Sequence, residues 1–253
     1  MPIASQKRPS WAASCKRRNM RRTLTSVVGA VLLAGFLLTG ITGVARAEDW
    51  KDRLDYLIAD GFRLVGYSLV FNADKNLSLY TDIPNVNADG TVNTVIEIPA
   101  GTDGKWEVTE ENGVLSWELK NGKPRMIKYL AYPWNYGMIP RTMGGDGDSL
   151  DCLSLGEMKL RGSVVGVKII GVLRILDAGL TDDKFLAVLP GSTFWEVNNL
   201  TELQAKYPGV LDIVQIWIEN YKGPGAMVVT GIDDVDEAWE VLNAGIDAYN
   251  SNQ

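Results

Sequence analysis

The residues best equipped for chemistry lie in Gly144-Gly145-Asp146-Gly147-Asp148-Ser149-Leu150-Asp151, where three carboxylates fall within six positions between strand-like segments. Like charges held this close repel. Unless divalent cations neutralise them or water fully solvates them, at least one carboxyl must hold its proton more tightly. The chain contains no histidine, which excludes a His-based triad and a histidine zinc site. A donor set of carboxylates alone suits hard ions such as Mg²⁺ rather than zinc or copper. From this cluster alone, an acidic, glycine-rich turn exposed to solvent is an equally good reading. A calcium loop of the EF-hand type fails: Asp146, Asp148 and Glu157 fit its positions 1, 3 and 12, but Leu150 and Asp151 occupy positions 5 and 6, where a ligand and a glycine are required.

A second acidic group, Asp177-Ala178-Gly179-Leu180-Thr181-Asp182-Asp183-Lys184, ends a long apolar run and by itself reads as a polar hairpin turn. Cations recur beside aromatic or acidic residues at Lys105-Trp106-Glu107, at Arg125 and at Tyr221-Lys222. Singly they read as surface residues whose stems lie along apolar neighbours. Together these groups are what phosphoryl transfer requires: acids to hold metals, and Arg, Lys and Tyr to hold phosphate oxygens.

The elements that must position these groups are mostly strands. Residues 92–98, 106–109, 114–119, 126–130, 164–176 and 185–189 are β-branched or apolar runs separated by Gly, Asn, Asp and Pro, and such a series predicts a small barrel. Residues 68–71 and 77–80 flank the turn-rich 72–76 and predict a hairpin. Helices are expected at 48–60, at a segment capped by Thr201 with Gln204 and stopped by Pro208, and at 211–221. The clearest is the last: Val235, Ala238, Trp239, Leu242, Ile246 and Tyr249 share one helical face behind a cap at Asp233 or Asp234. The fold class is therefore mainly β with peripheral helices toward the C-terminus.

Residues 1–47 carry the features of an export signal. A basic segment ending at Arg22 precedes the apolar run 27–38, and Ala45-Arg46-Ala47 fits a cleavage site before Glu48. Arg21-Arg22-Thr23-Leu24 also resembles a twin-arginine motif. Either twin-arginine or unfolded export is open, as is retention of 24–44 as an anchor. Cleavage leaves residues 48–253 as a single domain with no stable membrane insertion, and Cys152 as its one thiol, so no internal disulfide can form. Eight of the 25 cations precede Glu48 and none of the 31 acids does, leaving 17 against 31, a net charge of −14. Such a body is a poor nucleic-acid binder, since phosphate backbones need clustered cations, and its expected partners are divalent cations.

Asp146-Gly-Asp148-Ser-Leu-Asp151 resembles the signature loop of the soluble family I inorganic pyrophosphatases. Tyr132-Pro-Trp-Asn-Tyr136-Gly resembles another segment of that family. So do Val95-Ile-Glu97-Ile-Pro99, Lys105-Trp-Glu107, Lys123-Pro-Arg125, the spacing of Asp177, Asp182 and Lys184, and Tyr221-Lys222, all in the family's order. The resemblance covers about residues 68–245 and leans toward the eukaryotic-type branch. Two departures are Ser149, where the family usually has proline, and Ala178, where an acid usually follows Asp177.

The resemblance implies a small OB-like five-stranded β-barrel with C-terminal helices, and a Mg²⁺-dependent hydrolysis of pyrophosphate to two phosphates. It implies Asp146, Asp151 and Asp182 as metal ligands and Asp148 as the base that takes the proton of the attacking water. Asp177, Glu97 and Glu107 would serve the metals that arrive with substrate, Glu107 on the substrate side. Lys105, Arg125, Tyr136, Lys184, Tyr221 and Lys222 would grip phosphate oxygens, with Tyr132 nearby. It also implies a possible homo-oligomer. The alternative function is an exported phosphate- or metal-binding module that keeps the acidic loop without turnover. An OB-type binder of single strands conflicts with the net charge.

Overall fold

The computed structural model describes residues 58–60, 62–71 and 77–253, and within them the chain is mostly β-strand with three helices. The centre is a closed ring. Strand β3 (Val92–Ile98) pairs antiparallel with β8 (Asn135–Met138), and β8 with β9 (Asp151–Leu155). Next, β9 runs parallel to β12 (Lys184–Val188), β12 pairs with β10 (Val164–Asp177), and β10 returns to β3. Five strands without a free edge between them make the expected OB-like barrel.

Closure depends on β10. Its 14 residues extend over roughly 46 Å at strand rise. That length lets 164–167 pair with β3, 168–173 with β12, and 172–177 with β13 (Met227–Asp233). Gly137 makes the β3–β8 seam possible, because a Cβ there would sit 1.9 Å from the Val95 carbonyl oxygen. At the far end of β10 a short return strand, β11 (Leu180–Thr181), forms the hairpin that carries the second acidic group.

A smaller sheet orders β1 (Phe62–Val65), β2 (Ser68–Phe71), β5 (Leu115–Trp117) and β4 (Trp106–Val108). Its Trp106 and Trp117 stack with centroids 5.1 Å apart in the main core. The two-residue strands β6 (Leu119–Lys120) and β7 (Lys123–Pro124) flank Asn121 and Gly122, both at positive φ as a tight hairpin requires.

Helix α1 (Leu200–Lys206) is followed by α2 (Val210–Asn220) and, after β13, by α3 (Val235–Ser251). On α3 the expected face is the buried one: Ala238 and Leu242 pack into a cluster with Leu150, Cys152, Val172 and Phe185. Each large side chain buried there contributes about 1.5–3 kcal/mol. Asp234 caps α3 by accepting the Val235 N–H at 2.9 Å, and also takes the Leu200 N–H at 3.1 Å, tying two helix starts together.

Several local expectations are corrected. Strand β2 pairs with β1, around Gly66-Tyr67, and with β5, not with 77–80, which form a turn; residues 72–76 lie outside the described residues. Residues 126–130 are not a strand beyond a single Met126–Gly104 bridge, because the backbone donors there serve loops, as when the Ile127 N–H bonds the Asp103 carbonyl. The cap of α1 is Asn199, which accepts the Glu202 N–H at 2.8 Å, two positions earlier than the expected Thr201 with Gln204. Strand β13 has no counterpart in the sequence reading. Of the helix expected at 48–60 only Ile58–Asp60 are described, as a bridge from Ile58 to Arg161 and a turn; the remainder, like residues 1–47 with the expected export signal, lies outside the described residues. No helix among the described residues is long and apolar enough to cross a membrane.

Candidate active site

A cleft of about 540 Å³ opens between the barrel and the smaller sheet, lined by acids that outnumber cations ten to four. Every candidate named from the sequence lines it except Tyr132. Glu97 comes from β3, Lys105 and Glu107 from the start of β4, Tyr136 from β8, and Asp146 and Asp148 from the loop before β9. Asp151 opens β9, Asp177 ends β10, Asp182 lies just before β12, Lys184 begins it, and Tyr221 and Lys222 follow α2. Tyr132 is fully buried behind this wall, its ring 5.2 Å from that of Tyr136 and 4.6 Å from Trp217.

Strand register creates the centre of the cleft. In the parallel β9–β12 pair, Asp151 lies opposite Lys184, and Asp182, in the two-residue connector between β11 and β12, reaches the same ammonium. The Lys184 ammonium consequently donates to Asp151 Oδ2 at 2.6 Å and to Asp182 Oδ1 at 2.8 Å, while the Tyr136 hydroxyl donates to the same Asp151 oxygen at 2.5 Å. The neighbouring Asp183 points elsewhere, to Arg174 at 2.9 Å. Lys222 pairs with Asp177.

These contacts set the protonation states. Burial alone would push Asp151 up, but Lys184 and Lys105 hold it below the usual aspartate value. Burial would likewise lower Lys184, and Asp151 and Asp182 instead hold it above the ordinary lysine value. Lys105 is raised too, against its burial, by Tyr132, Glu97 and Asp151. Glu97 is different: burial dominates and pushes it to about 8, although it accepts the Val108 N–H at 2.6 Å. Asp146 is raised by partial burial and by Asp182 and Asp148.

Some lining residues were not named as site residues from the sequence: Val108, Thr109, Glu110, Glu111, Glu118 and Ser149. Glu118 was legible in principle. The Asn121-Gly122 hairpin brings it opposite Arg125, whose Nη1 it binds at 2.5 Å. Glu110 carried no such signal; it enters the cleft by accepting the Ser149 N–H at 2.9 Å.

Among the described residues no three acid or thiol groups close around one point as an ion cage. In this arrangement Lys184 and Lys222 supply the positive charge between and beside the carboxylates. The donor chemistry nevertheless fits a hard divalent ion, because the cleft offers many carboxylate oxygens, no imidazole, and an excess of acid.

The sequence matches the inorganic pyrophosphatase family over residues 94–250, a stretch containing every lining residue of the cleft. Among its relatives, the mitochondrial inorganic pyrophosphatase of Saccharomyces cerevisiae is 32% identical, the match covering 58% of this chain and 56% of that one. The inorganic pyrophosphatase of Haemophilus influenzae is 35% identical over 64% of this chain and 90% of its own. The crystal structure of the type I enzyme from Toxoplasma gondii superposes with a TM-score of 0.67 at 26% identity, covering 74% of this chain and 93% of that one. The chain spans less than two thirds of the Saccharomyces cerevisiae and Kluyveromyces lactis relatives. With a family match across most of the chain and the same barrel, this chain belongs to the inorganic pyrophosphatase family.

Proposed function

We propose that this chain hydrolyses inorganic pyrophosphate to two orthophosphates with Mg²⁺ as cofactor. The observation that carries the reading is the cleft itself, in which acids and cations from separated segments converge on the Asp151–Lys184 register pair and on Asp182, the second partner of Lys184. Pyrophosphate is highly anionic, so a site for it must offer positive charge and a way to generate hydroxide near neutral pH. Asp146, Asp151 and Asp182, with Asp177 and Glu97, would hold Mg²⁺. Bound there, the ion would supply charge neutralisation and lower the pKa of a coordinated water.

The chain's own groups do the rest. Lys105, Arg125 and Lys222 bind phosphate oxygens, with Tyr136 and Tyr221 as hydroxyl donors, and Lys184 swings between carboxylate and phosphate partners. Asp148, exposed on its glycine-rich loop, accepts the proton of the attacking water. The new P–O bond forms as the bridging P–O bond breaks, and the leaving phosphate's charge falls on the cations around it. Phosphate release from pyrophosphate by the purified protein tests this: it should require Mg²⁺ and stop on chelation. Binding without release would instead mean a phosphate- or metal-binding module.

The same reading extends to location. Residues 1–47 act as a cleaved export signal, so that the mature enzyme begins at Glu48 and works outside the cytoplasm, a reading supported by the basic segment, apolar run and Ala45-Arg46-Ala47 site.

A further inference from the structure

The loop that carries Asp146 and Asp148 is fastened to the barrel at its two ends. The Met143 N–H donates to the Gly245 carbonyl at 2.9 Å, and the Leu150 N–H to Thr142 Oγ1 at 3.0 Å. Leu150 seats against Gly245, where a Cβ would come within 2.4 Å of its Cδ1. Between these ends the loop has short internal bonds, Gly144 N–H to Asp148 O, Gly147 N–H to Gly144 O and Asp148 N–H to Asp146 Oδ1, and three glycines that leave its backbone freedom large. Among the described residues one hydrogen bond links its middle to the opposite wall of the cleft: Ser149 N–H to Glu110 Oε1, 2.9 Å.

Glu110 is well placed to hold that bond. It follows β4 in a turn braced by the Gly113 N–H to Thr109 carbonyl bond, 2.7 Å, and the Val114 N–H to Asn112 Oδ1 bond, 2.9 Å. Its carboxyl lies near Asp148, and burial followed by that neighbour's charge disfavours its ionised form, while the Ser149 bond favours it. A half-buried glutamate with no partner would swing out to water rather than stay beside another acid. Its position is therefore held by the Ser149 N–H.

We propose that Glu110 is a positioning residue that latches the acidic loop across the cleft, so that Asp146, Asp148 and Asp151 are arranged before Mg²⁺ arrives; this rests on the reading of the cleft as a Mg²⁺-dependent hydrolytic site. Without the latch the loop samples more conformers, and the affinity for Mg²⁺ falls by the fraction of time spent in the competent one.

The experiment compares wild type, Glu110→Ala, Glu110→Gln and Ser149→Pro in two measurements that need no turnover. These are Mg²⁺ binding by calorimetry without substrate, and amide hydrogen exchange of residues 144–150 in Mg²⁺-free protein. Glu110→Ala should bind Mg²⁺ about 10-fold more weakly and exchange faster in that loop. Glu110→Gln keeps an acceptor oxygen and loses only the charge, so it should stay close to wild type in both. Ser149→Pro removes the donor while fixing φ in the loop, so the diagnostic is the double variant: adding Glu110→Ala to Ser149→Pro should change neither Mg²⁺ affinity nor loop exchange, and a further loss would overturn the latch. Equal damage from Glu110→Gln and Glu110→Ala would overturn the latch in favour of a purely electrostatic role, as would unchanged exchange in Glu110→Ala. A wild type that releases no phosphate would remove the hydrolytic reading, while the exchange rates would still report on the latch.

Discussion

At the scale of single residues, the two adjacent acids of the β11–β12 connector do different work. Asp182 faces the cleft and binds Lys184, whereas Asp183 faces away and holds Arg174 and the Ile175 N–H. Asp148 is exposed, and its carboxylate has no partner among the hydrogen bonds of the described residues, which leaves it free to accept a proton. Asp148→Asn should lower phosphate release about 100- to 10,000-fold, with an unchanged melting temperature; wild-type rate in that variant would remove Asp148 from the mechanism. Glu97 makes a separate prediction for the Mg²⁺-free protein. Its folded-state pKa of about 8 lies above the usual 4.5, so between those values the folded chain keeps a proton that the unfolded chain has lost. Folding stability should therefore fall as pH rises through this window, and Glu97→Gln should flatten that slope in denaturant titrations at pH 5 and pH 8. The sequence identified Glu97 as a site carboxylate by resemblance, but its burial could not be read from a strand whose neighbours were unknown.

At the scale of elements, the strands that build the barrel were legible where β-branched runs were long, as in β10 and β3, and where the amphipathic face of α3 repeated over four turns. They were not legible where the partner decides. Residues 126–130 have strand-like composition but no neighbouring edge to pair with, and β13 is an ordinary apolar run until β10 extends far enough to receive it. The α1 cap shifted because Asn199 followed by Glu202 satisfies two helix-start donors as well as Thr201 with Gln204 would, and the earlier pair is where the chain turns. Gly137 is the element-level test. A methyl group there meets a backbone oxygen in the β3–β8 seam, which no rotamer change can relieve. Gly137→Ala should cost about 1–3 kcal/mol or more by chemical denaturation and should displace Tyr136 from Asp151, reducing activity as well. A fully stable, active variant would mean that the seam can open without consequence.

At the scale of the whole molecule, residues 1–47 carry eight cations and no acid while residues 48–253 carry net −14, the pattern expected if the first segment is an export signal that is removed. Intact mass measurement of protein secreted or released from its native compartment should give a chain beginning at Glu48; a mass retaining residues 1–47 would favour an anchor instead. The sequence by itself determined the chemical inventory: oxygen donors without histidine, cations in a fixed order among them, and enough strand-forming runs for a barrel. Those properties reside in residue types and need no partner. Only the tertiary structure decided that Asp151 faces Lys184 across a parallel pair 33 residues apart, that Tyr132 stands behind the wall rather than in it, and that Glu110 reaches Ser149 from the opposite sheet. Register and cross-cleft contacts arise from which strands meet and how far each slides, and a one-residue slip of β9 against β12 would turn Asp151 away from Lys184.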